Sequence, residues 1–504
     1  MQETKQIRNV VLLGHGKCGK TSLAEALLFS AGKTNRLGKV DDGSSCLDYE
    51  PEEIKRKASI NASCHTYNWK KHEIYLIDTP GEDNFINEAM FAAQVADSAI
   101  FTIGAVLGVK NQTEKFSTIV DERNLPTLIY INKMDRERAN FESTIEGIKA
   151  QLPLKPAIIH LPIGAETNFK GLVDIVRKKA FLFDGEQGKV KASEIPSEMI
   201  DAVDSYREEL METVAETDDD LIEQFLEEGT LNDDDFRKGL RNAVKKGILC
   251  PVTAGAATAN TGTELLLEMI NDYLPSPLDR PSQVGSSPDG DEVIERQPAT
   301  DAPFSALVFK TMADPYAGRL SIFRVYSGTI TGDSFYNSSK ECTEKVSQLL
   351  VLEGKEQRPV ESAGPGMIVA VTKLKETVTG DTICAQKEPI IYDPLVPIEP
   401  SISYAVTPAK KGDEDKLFSS LNKILEEDPT LQLVRESQTN EIILSGVGQI
   451  HIEVIGEKIK RKFGVDLALN LPKIPYRETI KGKTKVQGKH KKQTGGHGQF
   501  ADSW

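Results

Sequence analysis

Gly14-His15-Gly16-Lys17-Cys18-Gly19-Lys20-Thr21 restricts the fold of this chain more than any other stretch. It fits G-x-x-x-x-G-K-[ST], directly after the apolar run Val10–Leu13 and before a helix expected to begin near Ser22. A strand that enters a helix through such a loop turns successive backbone N–H groups toward phosphate oxygens, beside a helix N-terminus that favours negative charge. In that arrangement Lys20 reaches the β and γ phosphates of a nucleotide, and the Thr21 hydroxyl binds Mg2+. The whole loop from Gly14 through His15, Gly16, Lys17, Cys18, Gly19, Lys20 and Thr21 to Ser22 is a candidate nucleotide cradle, with Lys17 in its variable, solvated part.

Three further loops follow apolar runs. Asp78-Thr79-Pro80-Gly81 comes straight after Ile74–Ile77. A carboxylate there can hold Mg2+ through water, and the Gly81 N–H can meet a γ-phosphate oxygen. Alone, this tetrapeptide is an ordinary turn; its place after the phosphate loop gives it meaning. Asn132-Lys133-Met134-Asp135 follows Thr127–Ile131. The Asp135 carboxylate can accept from guanine N1–H and the 2-amino group together, a pair adenine lacks, and buried hydrogen bonds of this kind discriminate strongly. Asn132 and the Lys133 stem brace the loop and cover the base. Ala254-Gly255-Ala256-Ala257 could cap the base through the N–H groups of Gly255, Ala256 and Ala257. All four loops stand at the carboxyl ends of expected parallel strands, where open α/β sheets bind ligands. The expected ligands are GTP or GDP with Mg2+.

A length of 504 residues suggests about three to five domains. Short apolar runs alternating with amphipathic segments over the first 150 residues, with Ala99–Ile103 as a further strand, predict a parallel sheet covered by helices. The first domain is expected to span 1–285. An acidic helical subdomain is inserted at about 160–250, richest in acid between Ser193 and Lys246. A Pro/Ser/Gly-rich linker, Pro275–Pro303, precedes short β-rich segments expected to form a β-barrel over 300–390. Residues 398–477 then read as strand, helix (Asp413–Glu427), strands, helix (Gln449–Lys462) and strand, an α+β ferredoxin-like unit. The fold class is therefore multidomain α/β + β + α+β. The segment Lys481–Trp504 is basic, Gly-rich and too short to fold alone.

Charge limits the partners. Sixty-one Lys and Arg against 76 Asp and Glu give a net charge of −15, which argues against a generic nucleic-acid coat while permitting a local basic patch. Six scattered cysteines without a CxxC pair exclude a disulfide scaffold and offer no metal spacing. No signal peptide and no apolar run of about 18 residues are visible, so no membrane partner and a cytoplasmic location are expected.

Beyond the nucleotide loops, the chain resembles the elongation factor G family of ribosomal GTPases over almost its whole length. Asp314-Pro315-Tyr316 with Gly318-Arg319-Leu320, Arg324-Val325-Tyr326-Ser327-Gly328, Leu374-Lys375-Glu376-Thr377 and Thr379-Gly380-Asp381-Thr382 are similar to that family's second domain. Glu426-Glu427-Asp428-Pro429-Thr430, Ser445-Gly446-Val447-Gly448 and Ile450-His451-Ile452-Glu453 are similar to its third. Tyr476-Arg477-Glu478-Thr479-Ile480 and Gln493–Phe500 resemble the entry into its fourth, which 478–504 would only begin. The resemblance implies GTP hydrolysis coupled to binding of the ribosome, its RNA and proteins, by a monomer.

Three departures accompany it. The family follows D-T-P-G with a histidine that positions the attacking water, and here stands Glu82. Its first switch reads R-G-I-T-I, and here Arg56-Lys57-Ala58-Ser59-Ile60 keeps a hydroxyl for Mg2+ at Ser59. With Gly14-His15-Gly16, these changes match the elongation factor G-like paralogues best. The chain also ends early in the fourth domain. Lys20, Gly81 and Glu82 are the candidate catalytic residues, and Thr21, Ser59 and Asp78 the candidate metal ligands. A slowly or non-hydrolysing ribosome-associated factor, a peptide release factor and a ribosome-protection type GTPase are the alternatives.

Overall fold

In the computed structural model, residues 3–185, 188–314, 318–410 and 412–504 are described. Pro315 and Tyr316 of the family-like Asp314-Pro315-Tyr316 lie outside them. The first domain is built on a seven-stranded sheet. Its first six strands in the chain are β1 (Ile7–Leu13), β2 (Ser63–Trp69), β3 (His72–Asp78), β4 (Ser98–Gly104), β5 (Thr127–Asn132) and β6 (Pro156–Ile158), joined by the strand Cys250–Ala254. The spatial order is β2-β3-β1-β4-β5-(Cys250–Ala254)-β6, parallel except for the antiparallel β2–β3 edge.

All seven residues of β1 and of β4 are buried, as expected of strands covered on both faces. The observed β1 starts three residues before the apolar run, at Ile7, and takes two polar residues into the sheet through specific hydrogen bonds. Asn9 is fully buried and its Nδ2 donates to Asp97 Oδ2 at 2.8 Å. Helix α1 (Lys20–Ser30) begins at Lys20 rather than near Ser22, since Gly19 at φ +98° turns the chain directly into the first helical residue.

The acidic insertion carries a four-stranded sheet, His160–Ile163 to Lys189–Ser193, and three helices, Ile200–Ala215, Asp219–Glu228 and Asp233–Lys245. Glu208, Glu209, Asp218, Asp219, Asp220, Glu227 and Glu228 are all exposed. The inner face is apolar: Leu210, Val214, Phe236, Leu240 and Val244 belong to the same core as the main sheet.

The expected linker Pro275–Pro303 is more ordered than its composition suggests. Gln283–Ser286 and Val293–Arg296 pair as a hairpin, and Ile391–Tyr392 adds a third strand. Main-chain pairing with a segment about 100 residues away holds it, and composition cannot reveal that. Next comes an eight-stranded antiparallel sheet from Ser305–Asp314 to Thr382–Cys384, around a core that includes Phe304, Val308, Phe323, Val325 and Phe335. The third unit is β-α-β-β-α-β. Its four-stranded antiparallel sheet carries the helices Glu414–Glu427 and Gln449–Phe463 over Leu417, Leu421, Ile424, Ile452 and Ile459. Lys481–Trp504 is not featureless: Gly488–Lys492 and Gln499–Ser503 form a fully exposed hairpin.

A buried ion pair joins the first domain to the β-rich one. Arg324 Nη2 donates to Asp97 Oδ1 at 2.7 Å, with side chains 5% and 2% exposed. Arg324 Nη1 donates to Val95 O at 2.6 Å, and the guanidinium stacks on Tyr326. Removing one member of such a pair leaves the other charged and desolvated, which costs about 3–5 kcal/mol. Arg324→Met is therefore expected to lower unfolding stability by about that amount. Asp97→Ala/Arg324→Met should lose clearly less than the sum of the single changes in urea unfolding. Additive losses would show that the pair does not couple the two domains.

Candidate nucleotide-binding site

The loops at the carboxyl ends of β1, β3 and β5 line a cavity of about 830 Å3. His15, Gly16, Lys17, Cys18, Gly19, Lys20, Thr21, Ser22, Ser59, Gly81, Glu82, Asn132 and Lys133 face it. Two glycines make the phosphate loop possible. Gly14 (φ +142°) and Gly19 (φ +98°) lie in backbone regions that L side chains avoid, and a Cβ would collide with Thr102 O at the first and Asn132 Nδ2 at the second. Lys20 is 6% exposed, and its Nζ donates to Gly14 O at 2.9 Å and His15 O at 3.2 Å, arching over the loop.

Asn132 links separate loops. Its Nδ2 donates to Cys18 O at 3.0 Å, while its Oδ1 accepts from Lys133 N at 2.8 Å and Ala257 N at 3.0 Å. Lys133 Nζ donates to Lys17 O at 2.7 Å. Burial lowers the His15 imidazole to about 4, with the charges of Lys20, Lys110 and Lys133 adding to the effect. His15 is thus neutral, its Nδ1 beside Thr113 Oγ1 at 3.1 Å, and lysines and arginines supply the positive charge of the cavity.

Thr21 Oγ1 and Ser59 Oγ lie 2.9 Å apart. Asp78 is 2% exposed, and neither of its carboxylate oxygens has a hydrogen-bond partner. Burial pushes its carboxyl up to about 6, with the Thr21 hydroxyl and Lys20 ammonium opposing and Glu25 and Glu53 adding. Asp48, 4% exposed, is pushed up to about 8 by burial and by Asp78 and Glu53, and its Oδ2 is also unpartnered. Two hydroxyls and two carboxylates with unmatched buried oxygens suit a hard divalent cation, which takes oxygen ligands.

Two sequence-based assignments change, those of Thr79 and of the Gly255–Ala257 loop. Gly14, Asp78, Pro80 and Asp135 are not among the residues lining the cavity, although Asp78 interacts with the lining residues Lys20, Thr21 and Asp48. The Thr79 hydroxyl donates to Leu12 O at 2.6 Å, so it anchors β3 to β1 and is not free for nucleotide. The N–H groups of Gly255, Ala256 and Ala257 already donate to Ile131 O, Thr261 O and Asn132 Oδ1, which leaves none of them to cap a base. Thr258 is the residue of that loop on the cavity. Asp135, in the chain between the lining residues Lys133 and Arg136, is 31% exposed, with a buried Oδ1 that has no partner.

The sequence matches the Elongation factor Tu GTP binding domain over residues 5–276. It also matches Elongation factor G domain 2 over 303–386, Elongation Factor G, domain III, over 397–470 and Elongation factor G, domain IV, over 472–504. Elongation factor G of Thermotoga petrophila is 39% identical over 98% of this chain and 72% of its own length. The Thermotoga maritima elongation factor G matches to the same extent. The chain belongs to the elongation factor G family. A crystal structure of a Thermus thermophilus protein superposes with a TM-score of 0.86 at 32% identity, covering 99% of this chain and 72% of that one.

As an elongation factor G-like protein it is a GTP-binding GTPase, and two features of its site bear on that chemistry. Glu82 faces the cavity, its Cγ 3.5 Å from where a Cβ on Gly16 would stand, so its side chain lies against the phosphate loop. Asp48 escapes sequence reasoning, since it sits in a non-periodic loop; its only local signal is an acid eleven residues before Ser59.

The loop geometry predicts the effect of one methyl group. Gly19→Ala adds strain at positive φ and displaces Asn132. It should lower affinity for a fluorescent GTP analogue by at least about tenfold, or roughly 1.4 kcal/mol. Gly32→Ala, at φ +72° with open space around it, should cost stability only. Equal affinities for the two variants would contradict the role given to the Gly19 approach.

Proposed function

We propose that this protein is a Mg2+-dependent GTPase of the elongation factor G-like kind that couples hydrolysis to ribosome binding. The observation that carries the proposal is the pairing of Thr21 with Ser59 beside the unmatched oxygens of Asp78. In this reading the GTP-binding domain occupies 1–285 with its insertion at 160–250, followed by units at 300–390 and 398–477 and the beginning of another at 478–504. The departures at Gly16, Ser59 and Glu82 support a place among the paralogues. The protein acts as a monomer in the cytoplasm; among the described residues no helix is long and apolar enough to cross a membrane.

Thr21, Ser59, Asp78 and Asp48 would hold Mg2+, which supplies charge neutralisation at the phosphate oxygens. The chain's own groups do the rest. The N–H groups of the Gly14–Thr21 loop and the Lys20 ammonium surround the β and γ phosphates. The Gly81 N–H meets the γ-phosphate, where charge develops during attack by water. Asp135 offers its free oxygen to the guanine N1–H and 2-amino group, and the Lys133 stem covers the base. Ribosome contact holds the Ser59 and Gly81 segments closed around the nucleotide.

Asp135→Asn should shift preference from guanine toward xanthine nucleotides, because the amide donates to the 2-oxo group. Competition between GDP and XDP measures it, and continued preference for GDP would remove Asp135 from base recognition.

A second reading, slow hydrolysis, is favoured by Glu82. A carboxylate against the phosphate loop faces the γ-phosphate with negative charge and lacks the imidazole donor. Glu82→His should therefore raise ribosome-stimulated turnover, since a positioned water-orienting group contributes typically ~10²–10⁴-fold. GTP affinity should change little. Single-turnover hydrolysis on vacant ribosomes compares the two proteins. A rate within about twofold, a barrier difference of only ~0.4 kcal/mol, would take Glu82 out of the mechanism.

A further inference from the structure

Asp48 and Ser59 reach the site on a segment with little structure of its own. Between α1 and β2 the only regular element is α2 (Pro51–Arg56), six residues long, and a helix that short does not persist unaided. Two buried carboxylates shape this segment: Glu25 anchors one end to α1, and Glu53, on α2 itself, ties that helix to the stretch after Ser59. Glu25, on α1 and 1% exposed, accepts from Ser45 Oγ at 2.6 Å and Cys46 N at 2.7 Å through one oxygen, Oε1. Ser45 Oγ in turn accepts from Leu47 N at 3.1 Å and Asp48 N at 3.2 Å. The linkage therefore runs from the core of α1 to the backbone of Asp48.

Glu53, 2% exposed and on α2, braces the segment internally beside Ser59. Its Oε1 accepts from Ile60 N and Asn61 N, both at 3.0 Å, and its Oε2 accepts from Glu50 N at 3.1 Å. Among the described residues neither Glu25 nor Glu53 forms an ion pair. A desolvated carboxylate without a counter-charge is costly unless its hydrogen bonds are satisfied. Here most of the donors are main-chain N–H groups of the segment itself. Releasing the segment from α1 would strand the Glu25 charge, and unfolding the turn between α2 and Asn61 would cost Glu53 its main-chain donors, so the bonds fix the backbone and the backbone satisfies the carboxylates.

We propose that Glu25 and Glu53 are positioning residues that pin the two arms of the 45–61 segment and so place Asp48 and Ser59 against Thr21 and Asp78. The pinning stands on geometry alone. Its consequence for the nucleotide, tighter Mg2+-GTP without a matching gain for GDP, rests on the cation reading above.

The test uses the full chain in two arms. Limited trypsin digestion without nucleotide or metal probes the segment at Lys55 and Lys57, both exposed. Glu25→Met and Glu53→Met should each speed cleavage there by at least about fivefold, the scale of one lost buried hydrogen bond. Glu25→Gln keeps an acceptor oxygen for Ser45 and Cys46 and should cleave like wild type. Should Glu25→Met not fold, Glu53→Met carries the test. In the second arm, both methionine variants should weaken binding of a non-hydrolysable GTP analogue with Mg2+, while GDP binding in EDTA stays within twofold. Unchanged cleavage in a folded variant would overturn the pinning, as would Glu25→Gln cleaving as fast as Glu25→Met. Thr21→Ala separates the two readings. If it leaves the Mg2+ dependence untouched, the cation assignment fails while the digestion still decides the pins.

Discussion

The nucleotide site depends on one buried amide. Asn132 is 2% exposed at the end of β5, and its side chain bonds the phosphate loop, its own neighbour and the loop after Cys250–Ala254. These three loops come from positions more than 100 residues apart in the chain. Parallel strands bring their carboxyl ends together but do not set the loops relative to one another. An amide can, because it presents a donor and an acceptor from one rigid plane. With both sides satisfied inside the fold, Asn132 acts as a joint, and the surfaces left for ligand are the loop N–H groups, the lysines and the hydroxyls.

A second joint connects this site to the third unit. The helix Gln449–Phe463 lies along the segment that carries Ser59. Arg461 Nε donates to Glu52 Oε1 at 2.8 Å, Lys55 pairs with Glu457 at 2.6 Å, and Lys458 Nζ donates to Asn61 Oδ1 at 3.1 Å. Exposed pairs such as Lys55–Glu457 contribute little each. Glu52 is different, at 4% exposed, since a buried carboxylate cannot lose its cation cheaply. Glu88 adds a link from the other side, accepting from Ala62 N at 2.5 Å while pairing with Lys310 of the β-rich domain. Any rearrangement of residues 50–62 must re-pair groups in both neighbouring domains. Residues 50–62 are therefore mechanically continuous with the β-rich domain and the third unit.

Legibility in the sequence follows the range of the forces involved. The phosphate loop, the Asp78 and Asn132 turns and the strands before them were readable because each is local: an apolar run, a turn and a helix start within about 20 residues. The third unit was readable for the same reason, its two helices differing from expectation by one residue at one end each. What escaped is what partners create. Arg324 looks like any strand arginine until β4 brings Asp97 beneath it. Gln283–Ser286 reads as linker because its partner Ile391–Tyr392 is distant. The Gly255–Ala257 N–H groups looked available because their acceptors, Ile131, Thr261 and Asn132, belong to the assembled sheet and loop.

Backbone strain shows where the fold gives up stability for the site. Lys17 (φ +64°) and Lys133 (φ +65°) both adopt the left-handed conformation, at a cost of roughly 1–2 kcal/mol for a residue with a Cβ. Glycine would avoid that cost at either position. A lysine at 133 returns something a glycine cannot, since its Nζ donates to Lys17 O and joins the two strained turns to each other. Its stem then lies along the cavity wall. The left-handed turn at Lys17 also falls between Gly16 and Cys18, in the middle of the loop whose N–H groups must turn inward. Strain there is held by the same contacts that shape the cradle: Asn132 on Cys18 O, Lys133 on Lys17 O, and Lys20 on the Gly14 and His15 carbonyls. Because a trans peptide plane points its N–H and C=O in opposite directions, fixing these carbonyls also fixes the orientation of the N–H groups that follow them in the loop.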